Sequence, residues 1–192
     1  MENPALFLAS IIVLLIMPGP TNTLLATSGA TIGFRRSIPM LAGELAGYLV
    51  AIFLIQFVLG PAMSRSPSTA LALRLAAAAY LMILSVKLWL TPFIWARAVV
   101  SLRQVFVTTL LNPKALVFAL VIIPFSSPHP GLYLSVFAAT IPLIGTLWIS
   151  FGTFLGRHAQ PAYLGVVPKA ASLVLAVISA ILVSSALYTR AH

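Results

Sequence analysis

The chain has 192 residues, of which 61% are hydrophobic and only 7% are charged, and its mean hydropathy is +1.11. An average soluble domain has about 45–50% apolar and about 25% charged residues, so this composition argues against a soluble protein. The formal net charge is +9, but the basic residues stand singly between apolar runs. That pattern is typical of membrane topology, and we expect no nucleic-acid partner.

Six apolar segments follow one another along the chain, and each is long enough for the ~20 residues of a membrane-spanning helix. The runs are continuous and lack two-residue alternation, which favours helices over a barrel. We predict an all-α polytopic membrane protein with about six transmembrane helices in a single membrane domain, residues 1–192. The segments are Pro4–Ala30, Ile38–Pro61, Thr69–Leu90, Val105–Phe125, Gly131–Leu155 and Val166–Tyr188.

The first segment has no basic residue before it, so we expect a span and not a cleaved signal peptide. Orientation follows from the distribution of Lys and Arg between the two sides of the membrane. One predicted face carries seven of them and the other carries three, with Lys114 counted as intramembrane. We therefore predict a bacterial inner-membrane protein with the seven-residue face in the cytoplasm and both termini outside.

Two proline motifs interrupt the first and fourth segments. They are Pro18-Gly19-Pro20 and Asn112-Pro113. Proline cannot donate to the helix ladder, and it disfavours a helical residue before it. Gly or Asn before Pro suits an N-cap followed by proline at the first helical position. Each motif therefore predicts the start of a second half-helix, whose positive N-terminal dipole suits a carboxylate.

The spacing of the breaks indicates a repeat. Pro20 and Pro113 are 93 positions apart, close to half of the chain. Halves of about 1–95 and 96–192 would each hold three spans, so the repeat would be inverted in the membrane. Interrupted segments at matching positions of two halves point to the binding site of a secondary transporter.

Two ionisable residues lie inside the apolar segments. Lys114 follows the second break, where an intramembrane lysine costs roughly 2.5–3.5 kcal/mol on insertion scales. We expect it to bind a substrate carboxylate; the alternative is a structural pairing with Glu44 or with backbone carbonyls. We expect Glu44 to carry a proton or to hold a substrate ammonium, because burial disfavours the charged form of a carboxyl. The alternative is a permanent salt bridge to Lys114 or Arg36.

Helix geometry places these groups close together. At ~1.5 Å per residue, Pro18, Glu44 and Lys114 all fall in one layer between the membrane midplane and the cytoplasm. We expect the break residues to line the substrate; the alternative is a kink that helps the helices to pack. Asn22 would bind substrate or cap the second half-helix, and the sequence favours neither. The proposed lining residues are Pro18, Gly19, Pro20, Asn22, Asn112 and Pro113.

Three pairs of glycines have the spacing of close helix packing, within a protomer or between the protomers of a homo-oligomer. The pairs are Gly29 with Gly33, Gly43 with Gly47, and Gly152 with Gly156. No triad, phosphate loop or carboxylate pair is present, so we do not expect an enzyme or a cofactor. No His, Cys, Asp or Glu cluster has metal-ligand spacing, so we expect no metal site.

Several motifs together resemble the lysine-exporter-type (LysE/RhtB) amino-acid exporters over nearly the whole chain. These are Pro18-Gly19-Pro20, Gly33-Phe-Arg35, Gly43-x-x-x-Gly47 and Leu111-Asn112-Pro113-Lys114-Ala115. The chain departs from the family pattern at Ser37, where Gly is common, and in the third span. That span has no Gly before Tyr80-Leu81, and Ser85 replaces a later one. The resemblance implies efflux of amino acids or their derivatives, driven by an ion gradient.

These observations predict a secondary transporter that exports a small amino acid or derivative by proton antiport. A neutral substrate is favoured, because a cationic one would need an extra acid. The alternatives are a metal-ion or cationic amino-acid exporter, and a membrane scaffold that transports nothing. The scaffold would explain the glycine motifs but not Lys114 or the paired breaks.

Overall fold

The computed structural model describes residues 4–61, 66–90 and 100–158, and a few separate positions between 173 and 184. In these ranges the regular elements are all helices. The predicted all-α membrane architecture is confirmed. The sixth predicted segment, Val166–Tyr188, lies almost wholly outside the described residues.

The helices fall close to the other predicted segments. In chain order they are α1 (Pro4–Ile16), α2 (Pro20–Ile32), α3 (Phe34–Ser37), α4 (Met40–Leu54), α5 (Pro67–Leu90), α6 (Leu102–Leu110), α7 (Lys114–Val117) and α8 (Pro130–His158). Short π-helical stretches extend α4 through Ile55–Leu59 and α7 through Phe118–Ile122.

Four stretches of the described chain have the length and apolarity to cross a membrane, if each bent pair of helices counts as one span. Phe34–Leu59 and Pro130–Arg157 do so as continuous helices. Helices α1 and α2 form one bent pair with an angle of 61°. Leu102–Leu110 and Lys114–Ile122 form the other, with an angle of 52°. Both bends lie at the predicted proline motifs.

Gly33 forms the turn between α2 and α3 and does not take part in helix packing. Its φ is +81°, a conformation that glycine adopts without steric cost. Its N–H donates to the Gly29 carbonyl at 3.1 Å, which closes α2. A Cβ on Gly33 would meet nothing within 4 Å. The packing role expected for Gly33 is therefore wrong, because the spacing of the motif does not distinguish a packed glycine from a turn.

Helices α2 and α8 pack backbone against backbone. A Cβ on Gly29 would overlap the Ile149 carbonyl, and a Cβ on Gly152 would overlap the Ala26 carbonyl. Gly156 continues this contact one turn further along α8. Only residues without a Cβ allow helices to approach so closely. These glycines therefore pack helices of one chain.

Helices α4 and α6 approach each other in the same way. A Cβ on Gly43 would lie 2.8 Å from the Leu102 carbonyl oxygen, and a Cβ on Gly47 would lie 2.8 Å from that of Phe106. Each broken span is thus held against a continuous span through glycine. The α2–α8 and α4–α6 contacts are the most extensive helix pairings in the described chain.

Large apolar side chains fill a second packing region. It is formed by α1, the later part of α4, α7 with its π-helical extension, and the first half of α8. Tyr48, Phe118 and Phe137 are fully buried there, and their ring centroids lie 4.6–6.0 Å apart. The glycine contacts involve the other halves of the long helices. The two breaks therefore lie between a region packed by side chains and a region packed by backbone.

Candidate functional site

At the first break, the C-terminal end of α1 is hydrogen-bonded by a side chain, whereas the N-terminal end of α2 is not. Gly19 is extended, with φ −171° and ψ 175°, and Pro20 begins α2. Asn22 turns back toward α1, and its Nδ2 donates to the carbonyls of Leu15 at 2.7 Å and Met17 at 2.9 Å. No side chain of the described residues caps the N-terminus of α2. The carbonyl end of the break is thus satisfied, whereas the positive end lacks a side-chain partner.

At the second break Asn112 satisfies the start of α7. Its Oδ1 accepts the Lys114 backbone N–H at 3.1 Å, and its carbonyl accepts that of Ala115 at 2.9 Å. Its Nδ2 donates to Thr21 Oγ1 at 3.0 Å and to the Tyr48 hydroxyl at 3.3 Å. Asn112 therefore caps one half-helix and ties it to α2 and α4. Both Nδ2 hydrogens and one lone pair of Oδ1 are thus engaged by the protein itself.

A threonine pair also joins the two broken spans. The hydroxyl oxygens of Thr21 and Thr109 lie 3.1 Å apart, and both side chains are fully buried. Thr109 in turn donates to the Val105 carbonyl at 2.8 Å, which leaves its oxygen free to accept from Thr21. Thr21 can accept a hydrogen bond from Asn112 while it donates one to Thr109, so the hydrogen bonds that run from Asn112 to the Val105 carbonyl can all form together. The network fixes the two breaks against each other.

Lys114 crosses from the second break to the first. The side chain is only 3% exposed, and Nζ donates to the Met17 carbonyl. Gly19 makes room for the lysine stem, since a Cβ there would lie 3.2 Å from Cε and 3.3 Å from Nζ of Lys114. The ammonium thus lies beside the N-terminus of α2, which carries about half a positive charge. Two positive groups that face a single carbonyl have the character of an anion site.

The Glu44 side chain is buried, and one of its carboxyl oxygens has no hydrogen-bond partner among the described residues. It is 2% exposed, and its Oε2 makes no hydrogen bond. Lys114 and Tyr48 lie within electrostatic range of Glu44. Within the described part of the chain, however, no ion pair or hydrogen bond joins Glu44 to Lys114, and Arg36 is exposed. A permanent salt bridge, the alternative for Glu44, is therefore not formed in this conformation.

The described residues do not gather ligands for a metal ion. No group of three or more His, Cys, Asp or Glu side chains comes together among them. The polar groups at the breaks are instead amides, hydroxyls, backbone carbonyls, one ammonium and one carboxyl. Such a set suits an organic ion that carries hydrogen-bond donors and acceptors.

The family model for LysE type translocators matches residues 12–189. The chain belongs to this family. It is a multi-pass membrane translocator, and the LysE type family implies export of amino acids or related metabolites. No curated protein and no solved structure matches the chain.

The residues predicted for the site of this LysE type translocator fall into two groups in the structure: some lie around Lys114, and others hold the breaks together. Gly19 and Lys114 lie against each other between the two half-helices, while Pro18 and Pro20 flank Gly19 and are half-buried. Pro113 is buried and directly precedes α7. Asn22 and Asn112 hold the breaks together with amide groups that are already bonded. Lys114 beside Gly19 is therefore the positively charged group of the candidate site.

Sequence reasoning missed four residues of this site. Thr21 and Thr109 join the breaks, Tyr48 accepts from Asn112, and Gly145 lies against Glu44. Tyr48 alone had a usable signal, because it stands four residues after Glu44 and hence on the same face of a helix. The other three contacts depend on how distant parts of the chain pack.

Proposed function

We propose that this translocator exports a small amino acid or derivative, with a neutral substrate favoured, in exchange for protons. One observation carries the proposal. The buried ammonium of Lys114 lies beside the N-terminus of α2, which no side chain caps. An ammonium and a helix N-terminus together attract a carboxylate, which is the group that amino acids share.

Binding follows from the contacts at the breaks. The substrate carboxylate lies between Gly19 and Lys114 and draws the ammonium away from the Met17 carbonyl. That carbonyl keeps its bond from Asn22 and gains a free lone pair. It then accepts a hydrogen bond from the substrate ammonium. The first break thus supplies a positive end for the carboxylate and a carbonyl for the ammonium.

Glu44 supplies the coupling to protons. Its carboxyl is buried, has no hydrogen-bond partner on Oε2 and lies within electrostatic range of Lys114. A proton taken up from outside is released to the cytoplasm as the amino acid moves outward. The halves of the protein rock around the fixed site between these two events.

A neutral substrate fits the available charges. Glu44 is the only acidic residue in the apolar segments, because the other acid of the chain is Glu2. A cationic side chain would need an acid of its own, and a metal ion would need a ligand cluster. No group of metal ligands comes together among the described residues, and a scaffold would explain the glycine contacts but not the buried Lys114 or the paired breaks.

Counterflow in proteoliposomes tests the proposal. Vesicles that hold the purified chain and unlabelled amino acid are diluted into labelled alanine, threonine, leucine or lysine, with and without an imposed pH gradient. We expect saturable uptake of a neutral amino acid and faster net flux when the gradient is imposed. Folded protein that moves none of the amino acids would overturn the proposal.

A further inference from the structure

We propose that Gly145 of α8 is the positioning residue of proton coupling, because it provides the space in which the Glu44 carboxyl lies unpaired. The inference rests on the proposed proton-coupled export. Gly145 is buried in the middle of α8. It belongs to none of the packing motifs found in the sequence.

The contact between the two residues is direct. A Cβ on Gly145 would lie 2.5 Å from Oε2 of Glu44, closer than real Cβ atoms approach an oxygen. It would also lie 2.6 Å from a methyl of Leu41 and 3.3 Å from a methyl of Leu25. The carboxyl therefore occupies the volume that any other residue at position 145 would fill.

Gly145 differs from the glycines that pack helices. Added Cβ atoms at Gly29, Gly43 and Gly152 would meet the backbone of a neighbouring helix. At Gly145 the atoms within reach are the far ends of flexible side chains. Among the glycines that the structure describes, it alone faces a carboxyl oxygen. Helix packing therefore does not require glycine at this position, whereas the placement of the Glu44 carboxyl does.

The position leaves Glu44 free to exchange a proton. The backbone N–H groups within α8 are engaged in its own helix ladder, so the face at Gly145 offers Oε2 no donor. The titratable groups near the carboxyl are Tyr48 on the same helix and Lys114 on α7. Leu25 of α2 and Gly145 of α8 do not titrate. Oε2 can gain or lose a proton here without first breaking a hydrogen bond to a described residue.

Gly145 also connects the carboxyl to the movement of the spans. Helix α8 is held against α2 by Gly29 and Gly152, and α2 begins at the first break. Glu44 lies on α4, which is held against α6. A shift of α2 and α8 relative to α4 therefore changes the distance between Gly145 and the carboxyl. Proton exchange at Glu44 and this shift of the helices act on the same contact.

Two substitutions test the inference with matched controls. In Gly145→Ala the methyl displaces the carboxyl, while the adjacent Leu41 methyl can rotate away. In the double variant Gly145→Ala with Glu44→Asp, the shorter acid withdraws from the added methyl. Gly131→Ala is the control, because Gly131 is another glycine of α8 and a Cβ there would meet no atom of the described residues within 4 Å.

The readout separates coupling from folding. Each purified variant is compared with the wild type in proteoliposomes, using labelled alanine, threonine or leucine, whichever the wild type transports. We measure flux driven by a pH gradient and counterflow without one. Gly145→Ala should lower gradient-driven flux at least about tenfold, equivalent to about 1.4 kcal/mol, and should largely spare counterflow. The double variant should recover gradient-driven flux, and Gly131→Ala should match the wild type.

Each other outcome has a definite meaning. If Gly145→Ala keeps full gradient-driven flux, or loses flux and counterflow equally without rescue by Glu44→Asp, Gly145 has no positioning role. In both cases the proposed export stands. If the wild type moves none of the three amino acids, the proposed function fails and this inference fails with it.

Discussion

Replacement of Lys114 by methionine tests the role of this residue in transport separately from its effect on the stability of the protein. Methionine keeps an unbranched stem beside Gly19 but removes the ammonium. The Met17 carbonyl retains its 2.9 Å bond from Asn22, so it does not become an unpaired buried acceptor. Removal of an intramembrane lysine also relieves roughly 2.5–3.5 kcal/mol of insertion cost. We therefore expect Lys114→Met to insert and to resist thermal unfolding at least as well as the wild type.

Transport by Lys114→Met, in contrast, should be impaired, because the substrate carboxylate loses the ammonium that binds it. A hydrogen bond to a charged group contributes about 1.5–3 kcal/mol, and about 1.4 kcal/mol is tenfold in affinity. We expect the apparent KM for counterflow of a neutral amino acid to rise between about tenfold and about 150-fold. Arg103→Met is the matched control, since it removes an exposed positive charge from α6. An unchanged KM in stable Lys114→Met, or an equal change in Arg103→Met, would refute the carboxylate role.

Three further predictions concern the contacts around the site. Asn112→Ala removes three side-chain hydrogen bonds, to the Lys114 N–H, Thr21 and Tyr48, and at about 0.5–1.5 kcal/mol each it should lower the free energy of unfolding by about 1.5–4.5 kcal/mol, measured by thermal or denaturant unfolding in detergent. Tyr48→Phe removes only the 3.3 Å bond from Asn112 and should cost no more than about 0.5–1.5 kcal/mol in the same assay. Gly152→Ala should sharply reduce the folded, monodisperse yield, whereas Gly131→Ala should not, and equal yields would contradict the close α2–α8 contact.

Local rules were sufficient to predict the two breaks. A helix ends before the proline at both breaks; Gly19 is the N-cap of α2 as predicted, whereas at the second break the N-cap is Pro113 and α7 begins at Lys114. Pro142 lies inside α8 without ending it, so the Gly or Asn before the proline is part of the signal. The constant rise of a helix was enough to place Lys114 and the first break in one layer. The structure brings Lys114 against Gly19, as that estimate requires.

Contacts between distant segments could not be predicted in the same way. Thr21 and Thr109 are separated by 88 positions, and no local pattern links them. Gly145 belongs to none of the glycine pairs in the sequence, and its place in an apolar helix does not distinguish it from a residue that faces lipid. Gly33 has the spacing of a packing motif, but its positive φ is a property of the turn. The orientation of the termini and the inverted repeat stay predictions.

The most direct measurement of the central claim is competition in counterflow between an amino acid and its own carboxamide. The two compounds share the side chain and the ammonium and differ only in the carboxylate. Because Lys114 and the N-terminus of α2 are proposed to bind that group, the free acid should compete with labelled substrate and the carboxamide should not. Equal competition by the two compounds would show that the carboxylate is not recognised and would contradict the account.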